Sequence, residues 1–266
     1  MPELPEVETV VRRLRAPLLG HTFSGMRVEW ERMIHPSALE MRKLLVGQSV
    51  EAIDRRGKYL VFELSGQDDL IIHLKMTGDL QVMPSSVPDH PHDRVVFCLE
   101  NGDQLRFRDP RKFGRVYLTQ DPALILGQLG PEPLDNGFTE DEFLALFERR
   151  SGRIKPLLMN QEFIAGLGNI YADEALFLAG IRPQRRADTL SGDEKRRLYR
   201  AIRQVLWRAI EQKGTSLTDK TYRGGQYQQQ FLVYGRLEQP CLMCERPIQR
   251  IRLGQRSAHF CLNCQR

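Results

Sequence analysis

The sequence has no long uninterrupted run of apolar residues. Its strongest apolar stretches, YLVFEL and LIIHL, are far too short for a transmembrane helix, which needs about 20 apolar residues. The N-terminal segment is charged throughout and lacks the apolar core of a secretory signal peptide. We therefore expect a cytoplasmic protein with no membrane association.

Its 266 residues suffice for one large domain or two ordinary ones.

Cysteine is also scarce, and its distribution is uneven. Of the five cysteines, Cys98 stands alone in VVFCL, where we interpret it as a strand residue without chemistry. The other four fall within the last 26 residues. In a chain expected to be intracellular, this clustering favours a metal site over disulfides.

The excess of positive charge is small overall but concentrated in one part of the chain. The formal net charge is +5, yet 182–266 carries 18 Lys and Arg against 7 Asp and Glu, whereas 1–181 carries 21 against 27. A basic C-terminal part indicates a polyanionic partner. The alternative is a solvated helix face rich in arginine.

The apolar pattern changes from strand-like to helical along the chain. VETVVRRLRAPLL has helical spacing, and short β-rich runs separated by turn signals then follow from about Thr22 to Thr119, as in a β-sandwich or barrel. Asn101-Gly102 is a strong hairpin signal. Helices dominate after GQLGPEPLDNGF, including SGDEKRRLYRAIRQVLWRAIEQKG with Ser191 and Glu194 in capping-box spacing. We predict domains at 1–130, 131–235 and 236–266.

The C-terminal cysteines have the spacing of a zinc ribbon. Cys241-x2-Cys244 and Cys261-x2-Cys264 are separated by sixteen residues, and two such CxxC pairs can present four thiolates tetrahedrally to one zinc. The intervening PIQRIRLGQRSAHF predicts a β-hairpin that turns at Leu253-Gly254. Its arginines suit DNA phosphates, although such hairpins also occur as purely structural ribbons or bind only proteins; they are Arg246, Arg250, Arg252 and Arg256.

Two further segments combine backbone turns with groups that bind DNA. In QEFIAGLGNIYADEALF, Gly166 and Gly168 predict a tight turn and Asn169 a helix N-cap, so that backbone N–H groups could face a phosphate. In RDPRKFGRVYL, Arg111 and Phe113 combine a phosphate-binding charge with an aromatic side chain that could enter a base stack. The ordinary alternatives are a helix-packing element and a hairpin loop with an inward-facing phenylalanine.

The N-terminus MPELPEVE offers a nucleophile beside an acid. Methionine aminopeptidases act when the second residue is small, so Pro2 is the expected mature terminus, with an α-amino pKa of roughly 8. A neutral secondary amine can attack C1′ of a deoxyribose and form an iminium. Glu3 could then transfer protons to the ring oxygen or the leaving base. Taken alone, the two residues could equally begin an exposed tail.

Together these segments resemble the formamidopyrimidine-DNA glycosylase/endonuclease VIII family of repair enzymes. The resemblance covers essentially the whole chain through motifs that occur in the family's order: PELPEVE, RRGKYL, DPRKFG, AGLGNIYADEALF, VYGR and the four-cysteine tail. It implies an α+β fold, in which an N-terminal β-sandwich flanked by helices precedes a helical helix–two-turn–helix domain with a C-terminal zinc-finger β-hairpin. DNA is expected in the cleft between the two domains.

The resemblance also implies roles for individual residues. Pro2 matches the family's nucleophile, Glu3 its general acid/base, and Lys58 in RRGKYL its catalytic-site lysine, which binds phosphate near the lesion. The remaining matches concern DNA and metal. The gap left by the flipped nucleotide is filled by Met76, Arg111 and Phe113; the phosphate clamps are Asn169 and Arg256; and the ligands of one structural zinc are Cys241, Cys244, Cys261 and Cys264.

The spelling PELPE, rather than PEGPE, favours the branch that removes oxidised purines such as formamidopyrimidines and 8-oxoguanine. Three features depart from the family pattern. Lys75 stands where glycine is common, Asn160 stands where aspartate is usual, and the loop around Gly224, which closes over flipped 8-oxoguanine, is a few residues short. The resemblance therefore implies the glycosylase and lyase reaction but leaves the preferred damaged base open.

The expected function is that of a bifunctional DNA glycosylase and abasic-site lyase of base excision repair. It would form a Schiff base at the N-terminal proline and complete β,δ-elimination, acting as a monomer on double-stranded DNA with damaged bases and associating with the nucleoid through that DNA. One alternative is an endonuclease VIII-like or broad-specificity enzyme for oxidised pyrimidines and hydantoins. Another is a non-enzymatic zinc-containing protein that binds damaged DNA.

Overall fold

The computed structural model describes residues 1–216 and 225–266. The described residues form two compact units, 1–127 and the remainder of the described chain from Gln128 onward. No helix within the described ranges has the length and apolar character needed to cross a membrane. The predicted division of the second part into 131–235 and 236–266 stays a prediction.

The first unit begins with helix α1, Leu4–Leu18. Pro5 lies in its first turn, where the missing N–H costs no hydrogen bond, and Glu6 supplies the carboxylate of a capping box at the N-terminus. Apolar residues at helical spacing place one face of α1 against the strands, where they are buried: Val7, Val10, Val11, Leu14 and Leu18.

Within residues 1–127, nine strands and two further short helices follow. The strands are β1 Phe23–Val28, β2 Ile34–His35, β3 Val50–Arg56, β4 Tyr59–Leu64, β5 Asp69–His73, β6 Asp79–Pro84, β7 Asp93–Leu99, β8 Asp103–Arg108 and β9 Arg115–Thr119; the helices are α2 Ala38–Leu45 and α3 Ala123–Leu126. They form two sheets, in the orders β1-β7-β8-β6 and β2-β9-β5-β4-β3. All pairings are antiparallel except β2 with β9.

Alternation of apolar and polar residues produces the core of the sandwich. In β4, for example, Leu60, Phe62 and Leu64 are buried while the intervening side chains are half-buried or exposed. This period of two places every second side chain on the same face of a strand. Residues from both sheets and from α1 form one buried apolar cluster.

Two connections cross from one sheet to the other at the same edge. The 74–78 loop leads from β5 to β6, and the 109–114 loop leads from β8 to β9. The loops are neighbours because β5 pairs with β9 and β6 pairs with β8 at the strand ends that flank both loops. The segment DLIIHLKMTGDLQVM therefore contains two strands, and the backbone turns from one sheet to the other at its centre.

The second unit is mainly helical. Its helices are α4 Glu140–Ala145, α5 Ile154–Met159, α6 Asn169–Ala179 and α7 Gly192–Glu211. Helix α6 is apolar on almost every side and lies at the centre of the unit, whereas α7 is amphipathic. The predicted capping box of α7 is present between Ser191 and Glu194. The described part of the chain also contains three short 3-10 turns, Glu31–Met33 in the first unit and Ala187–Thr189 and Tyr227–Gln230 in the second.

The C-terminal part of the second unit is a β-hairpin between two cysteine pairs. Strands β10, Gln249–Leu253, and β11, Arg256–Phe260, are antiparallel. The predicted turn at Leu253-Gly254 is wrong by one residue: Leu253 pairs with Arg256, so the turn residues are Gly254 and Gln255. Gly254 has φ +61°, which suits the first position of a two-residue hairpin turn. The predicted α+β fold is confirmed.

Candidate functional site

Pro2 and Glu3 are buried and do not form an exposed tail. Met1 is 42% exposed, whereas Pro2 is buried and Glu3 is only 3% exposed. Glu3 precedes α1, and its backbone N–H donates to Glu6 Oε2 at 2.8 Å. Pro2 and Glu3 are therefore held at the positive end of a helix dipole. The alternative of a solvated tail does not fit this burial.

Helix α1 is anchored to both sheets. Arg13 donates to Asp79 Oδ1 at 2.7 Å and to the carbonyl of Leu80 at 2.6 Å, both on β6. Arg15 donates to the carbonyl of Ile53 on β3 at 2.9 Å. Because the two sheets are joined to one helix, the position of the helix N-terminus is fixed by the sandwich.

Lys58 lies in the two-residue turn between β3 and β4 and is only 4% exposed. Gly57, the first turn residue, has φ +57°, a conformation that costs glycine little. Arg55 donates to the Gly57 carbonyl at 3.0 Å and to Glu8 Oε2 of α1 at 3.3 Å. The turn that carries Lys58 is thus linked to the helix that follows Pro2 and Glu3.

A buried histidine lies among positive charges near this turn. Burial, followed by the charges of Lys75 and Lys58, lowers the pKa of His73 to about 3. The backbone N–H of Lys75 donates to His73 Nδ1 at 2.9 Å, and the Tyr59 and His73 rings are nearly perpendicular with their centroids 4.5 Å apart. His73 is therefore neutral at neutral pH. Sequence reasoning did not single out this residue.

The three predicted gap-filling residues lie on the two neighbouring loops of the first unit. Met76 is half-buried in the 74–78 loop, and Arg111 and Phe113 are exposed in the 109–114 loop. The Arg111 guanidinium carbon lies 4.7 Å from the centroid of the Phe113 ring, a distance typical of a cation–π contact. Phe113 is 46% exposed, so the alternative of an inward-packed ring is wrong.

Asn169 occupies the first turn of α6 in the second unit. The structure places Gly168 at the N-cap and Asn169 at the first helical position, which corrects the predicted N-cap. The Asn169 Nδ2 group lies 3.5 Å from the Tyr234 hydroxyl, and Asn169 Oδ1 is buried with no hydrogen-bond partner within the described part of the chain. The glycine turn at Gly166, with φ +86°, brings the chain to this helix end.

Glu174 holds the VYGR segment against α6. Its carboxylate accepts backbone N–H groups of Leu232 at 2.8 Å, Val233 at 3.0 Å and Tyr234 at 2.8 Å. Burial raises the pKa of Glu174 above the ordinary value for glutamate, although the three N–H donors act in the opposite direction. Only the tertiary structure identifies this role, but an acidic residue among apolar neighbours in NIYADEALF was an available signal.

A buried ion pair joins the helices to the hairpin. Lys155 Nζ of α5 lies 2.6 Å from Asp173 Oδ1 of α6 and donates to the Ser257 carbonyl of β11 at 2.5 Å. Asp173 Oδ2 accepts the backbone N–H of His259 at 2.9 Å. Arg256, one residue before Ser257, is exposed at the start of β11. The position of Arg256 is thus tied to two helices of the same unit.

The four C-terminal cysteines converge as predicted, and all four Sγ atoms lie within 4.8 Å of one another. Cys241 and Cys264 are 3.8 Å apart and Cys244 and Cys261 are 3.4 Å apart, measured between sulfur atoms. Zn–S bonds of about 2.3 Å in a tetrahedron require sulfur separations of about 3.8 Å. These residues therefore fit one tetrahedral zinc with no open position for catalysis.

Two of the three departures from the family pattern have a structural explanation. Lys75 adopts a left-handed backbone with φ +54°, which glycine adopts without a Cβ clash. Asn160 accepts the backbone N–H of Glu162 through Oδ1 at 3.1 Å, a bond that aspartate can make equally well. The third departure, the short loop around Gly224, lies within 217–224 and outside the described residues.

Three family models match consecutive parts of the chain. They are the formamidopyrimidine-DNA glycosylase N-terminal domain at 1–116, the formamidopyrimidine-DNA glycosylase H2TH domain at 129–221, and the zinc finger found in FPG and IleRS at 238–266. The fold and the four-thiolate cluster thus define a zinc-finger DNA-repair protein with a helix–two-turn–helix domain.

Comparison with complete chains is more specific. The formamidopyrimidine-DNA glycosylase of Herpetosiphon aurantiacus is 43% identical over 272 residues and is matched over 100% of both chains. A complex of the Lactococcus lactis Fpg with DNA containing an abasic site has a TM-score of 0.93 at 34% identity over 99% of both chains. The Lactococcus lactis complex with DNA containing N7-benzyl-Fapy-dG has a TM-score of 0.94 at 35% identity over 100% of both. The chain belongs to the formamidopyrimidine-DNA glycosylase family.

Proposed function

We propose that this protein is a bifunctional DNA glycosylase and abasic-site lyase that removes oxidised purines, formamidopyrimidines above all, from double-stranded DNA. The observation that carries the proposal is the buried Pro2–Glu3 pair at the head of α1. Membership of a glycosylase family, and relatives crystallised with abasic and formamidopyrimidine DNA, support the same chemistry.

Removal of Met1 exposes the secondary amine of Pro2 as the nucleophile. The nitrogen lone pair forms a bond to C1′ of the damaged nucleotide, and the C1′–N bond to the base breaks. Of the Glu3 carboxyl proton and the N–H proton that Pro2 loses, one goes to the departing base and the other to the ring oxygen, so that the C1′–O bond breaks, the ring opens and an iminium remains between Pro2 and C1′. The pair Pro2–Glu3 thus supplies both the electron pair and the proton.

The iminium then makes two eliminations feasible. It acidifies C2′–H, so that the Glu3 carboxylate left by the first step takes this proton and the 3′ phosphate leaves. Loss of the C4′ proton to water in a second elimination expels the 5′ phosphate. Lys58, held nearly buried in its turn, binds a phosphate next to the lesion. Hydrolysis of the remaining iminium by water returns the free Pro2 amine.

DNA is held by groups from both units. Met76, Arg111 and Phe113 fill the gap left when the damaged nucleotide leaves the base stack. Asn169 and Arg256 bind backbone phosphates, for which a helix N-terminus and an exposed arginine are suited. The zinc has a structural role, in which Cys241, Cys244, Cys261 and Cys264 hold the hairpin that presents Arg256.

Reductive trapping tests the nucleophile. Wild-type protein with a mass-verified Pro2 terminus, incubated with abasic-site DNA and borohydride, is expected to form a covalent complex with its N-terminal peptide. Pro2→Gly and Glu3→Gln are expected to lose excision of formamidopyrimidine while still binding DNA. Absence of trapping by wild-type protein would refute the mechanism. No trapping and no excision by wild-type protein, together with unchanged binding of damaged DNA by both variants, would instead support a non-enzymatic protein that binds damaged DNA.

A lesion panel tests the substrate class. Matched duplexes carrying formamidopyrimidine, 8-oxoguanine, hydantoin or thymine glycol separate an oxidised-purine enzyme from one that prefers oxidised pyrimidines or hydantoins. We expect formamidopyrimidine to be excised fastest. Faster excision of thymine glycol would replace the proposed substrate class without affecting the proposed nucleophile.

A further inference from the structure

The three proposed gap-filling residues come from two loops that are separate in the sequence. Met76 belongs to the 74–78 loop, whereas Arg111 and Phe113 belong to the 109–114 loop. We propose that Asp109 is a positioning residue that, through Thr77, holds the two loops as one unit, so that all three side chains enter the DNA together. This inference rests on the proposed function.

The Asp109 carboxylate is the central acceptor of both loops. Asp109 is fully buried. Its Oδ2 accepts backbone N–H groups of Phe113 at 2.7 Å and Gly114 at 2.8 Å, and its Oδ1 accepts the N–H of Arg111 at 3.2 Å. Oδ1 also accepts the Thr77 hydroxyl of the other loop at 2.5 Å. Both residues whose side chains would enter the DNA from the 109–114 loop are thus bonded to Asp109 through their backbone.

The backbone of Asp109 is itself fixed. Its N–H donates to the carbonyl of His92 at 2.9 Å, and its carbonyl accepts Arg94 Nε at 3.0 Å. Arg94 belongs to β7 and His92 immediately precedes that strand. The carboxylate is therefore held by the sheet and not only by the loops that it organises.

The two loops also share one aromatic ring beneath them. A Cβ atom on Gly78 would lie 2.6 Å from Phe107 Cε2, and one on Gly114 would overlap Phe107 Cζ. Phe107 is fully buried at the end of β8. Since each loop approaches the same ring too closely to accept a side chain, neither can shift independently without disturbing that contact.

Each loop contains one non-glycine residue in a left-handed conformation. These are Lys75 with φ +54° and Lys112 with φ +59°. Such a backbone costs about 1–2 kcal/mol for an L-residue and persists where surrounding contacts determine it. The hydrogen bonds to Asp109 and the packing on Phe107 are such contacts. These contacts hold the loop bases, while the Arg111 and Phe113 side chains are exposed.

This arrangement prepares the gap-filling surface before DNA binds. Ordering two independent loops at the moment of binding would reduce affinity, whereas a pre-assembled pair avoids that entropic cost. The cross-loop bond between Thr77 and Asp109 is the contact to test, because Thr77 can lose it without touching the 109–114 loop.

Thr77→Val removes the hydroxyl at nearly constant shape, and Thr77→Ser retains it as a matched control. The probe is a duplex that carries an uncleavable tetrahydrofuran abasic analogue opposite 2-aminopurine, whose fluorescence reports filling of the gap. We expect Thr77→Val to weaken duplex binding about tenfold, in line with loss of one hydrogen bond to a charged group, and to reduce the fluorescence change. Thr77→Ser is expected to match wild type in both measurements.

A double-mutant cycle tests whether the loops act together. In the wild-type background, the effects of Met76→Ala and Phe113→Ala on the fluorescence change and on duplex affinity are expected to be non-additive. In the Thr77→Val background, the effects of the same two substitutions are expected to add. Asp109→Asn, which keeps the shape but cannot satisfy all four donors, is expected to resemble Thr77→Val if it folds. The cycle in the Thr77→Val background does not depend on the folding of Asp109→Asn.

The outcome separates this inference from the proposed function. Borohydride trapping on single-stranded abasic DNA needs no gap filling, so Thr77→Val is expected to trap within about twofold of wild type. If Thr77→Val equals wild type in duplex affinity, fluorescence and the cycle, the positioning role is refuted while trapping still supports the function. If wild type fails to trap, the proposed function is refuted, whereas the fluorescence measurement still tests the coupling of the loops.

Discussion

Lys155 Nζ lies 2.6 Å from Asp173 Oδ1, and neither side chain is more than 1% exposed. The pair connects α5 to α6. Both residues also bond to β11: Lys155 donates to the Ser257 carbonyl, and Asp173 accepts the His259 backbone N–H. The hairpin that carries Arg256 is therefore bonded to the interior of the second unit. A buried pair of this kind matters chiefly because either charge alone would be left without compensation.

Lys155→Met is expected to lower the free energy of unfolding by about 3–5 kcal/mol, because it leaves the buried Asp173 carboxylate without its cation. Urea unfolding of the zinc-loaded protein measures the loss. Asp173→Asn retains an acceptor for the His259 N–H and is the matched partner variant. The loss caused by Lys155→Met should be much smaller in the Asp173→Asn background, and equal losses in the two backgrounds would rule out the pair as the cause.

His73 is expected to make stability depend on pH in the acidic range. Its folded-state pKa of about 3 lies below the ordinary value of about 6.5, so the unfolded chain binds a proton that the folded chain does not. The contribution is fully present above pH 6.5 and is lost as pH falls toward 3, with a slope of at most about 1.4 kcal/mol per pH unit.

The variant His73→Asn isolates this contribution, since its side-chain oxygen can still accept the Lys75 N–H. Urea unfolding between pH 5 and 7.5, with zinc present, measures the free energy of unfolding of both proteins. The difference between wild type and His73→Asn should change in favour of the variant as pH falls. If the free energy of unfolding varies with pH in the same way for the two proteins over this range, His73 is not the cause of the pH dependence.

Lys75→Gly is expected to stabilise the protein by about 0.5–1 kcal/mol. Removing the Cβ atom relieves the cost of a left-handed backbone, which is about 1–2 kcal/mol. Against this, the greater conformational entropy that glycine gives to the unfolded chain lowers the stability by about 0.4–1 kcal/mol. The substitution also removes a charge that lowers the pKa of His73, so NMR titration should give a higher His73 pKa. Lys75→Ala removes the same charge but keeps the strain, and should raise the pKa without the gain in stability.

Zinc removal is expected to unfold the hairpin and weaken DNA binding, because four-cysteine modules rarely fold without metal. Hydrogen exchange in 249–260 and duplex affinity measure the two effects. Arg256→Ala is the matched variant, in which the hairpin should stay folded. Its affinity for duplex DNA should fall, and the slope of log affinity against log salt concentration should decrease by about one, as for the loss of one phosphate contact. Equal DNA binding by apoprotein and holoprotein would exclude the zinc hairpin as a DNA contact.

Much of the architecture could be predicted from local patterns. The alternation in YLVFEL, the helical spacing after Pro5, the capping box at Ser191 and the two CxxC pairs each report a property of a few neighbouring residues. The predicted hairpin turn differs from the observed one by one residue, because either Leu253 or Gln255 could join Gly254 in a two-residue turn and only strand register distinguishes them.

By itself, the sequence determined the strand and helix faces, the cluster of four cysteines and the adjacent proline and glutamate at positions 2 and 3, because periodicity, spacing and residue chemistry are local. Only the tertiary structure decided which partner each buried charge has. Thr77 and Asp109 are 32 residues apart, Glu174 and the Val233 N–H are 59 apart, and Lys155 and Ser257 are 102 apart. Such pairs follow from how sheets and helices pack, and a buried carboxylate accepts whichever donors that packing brings to it.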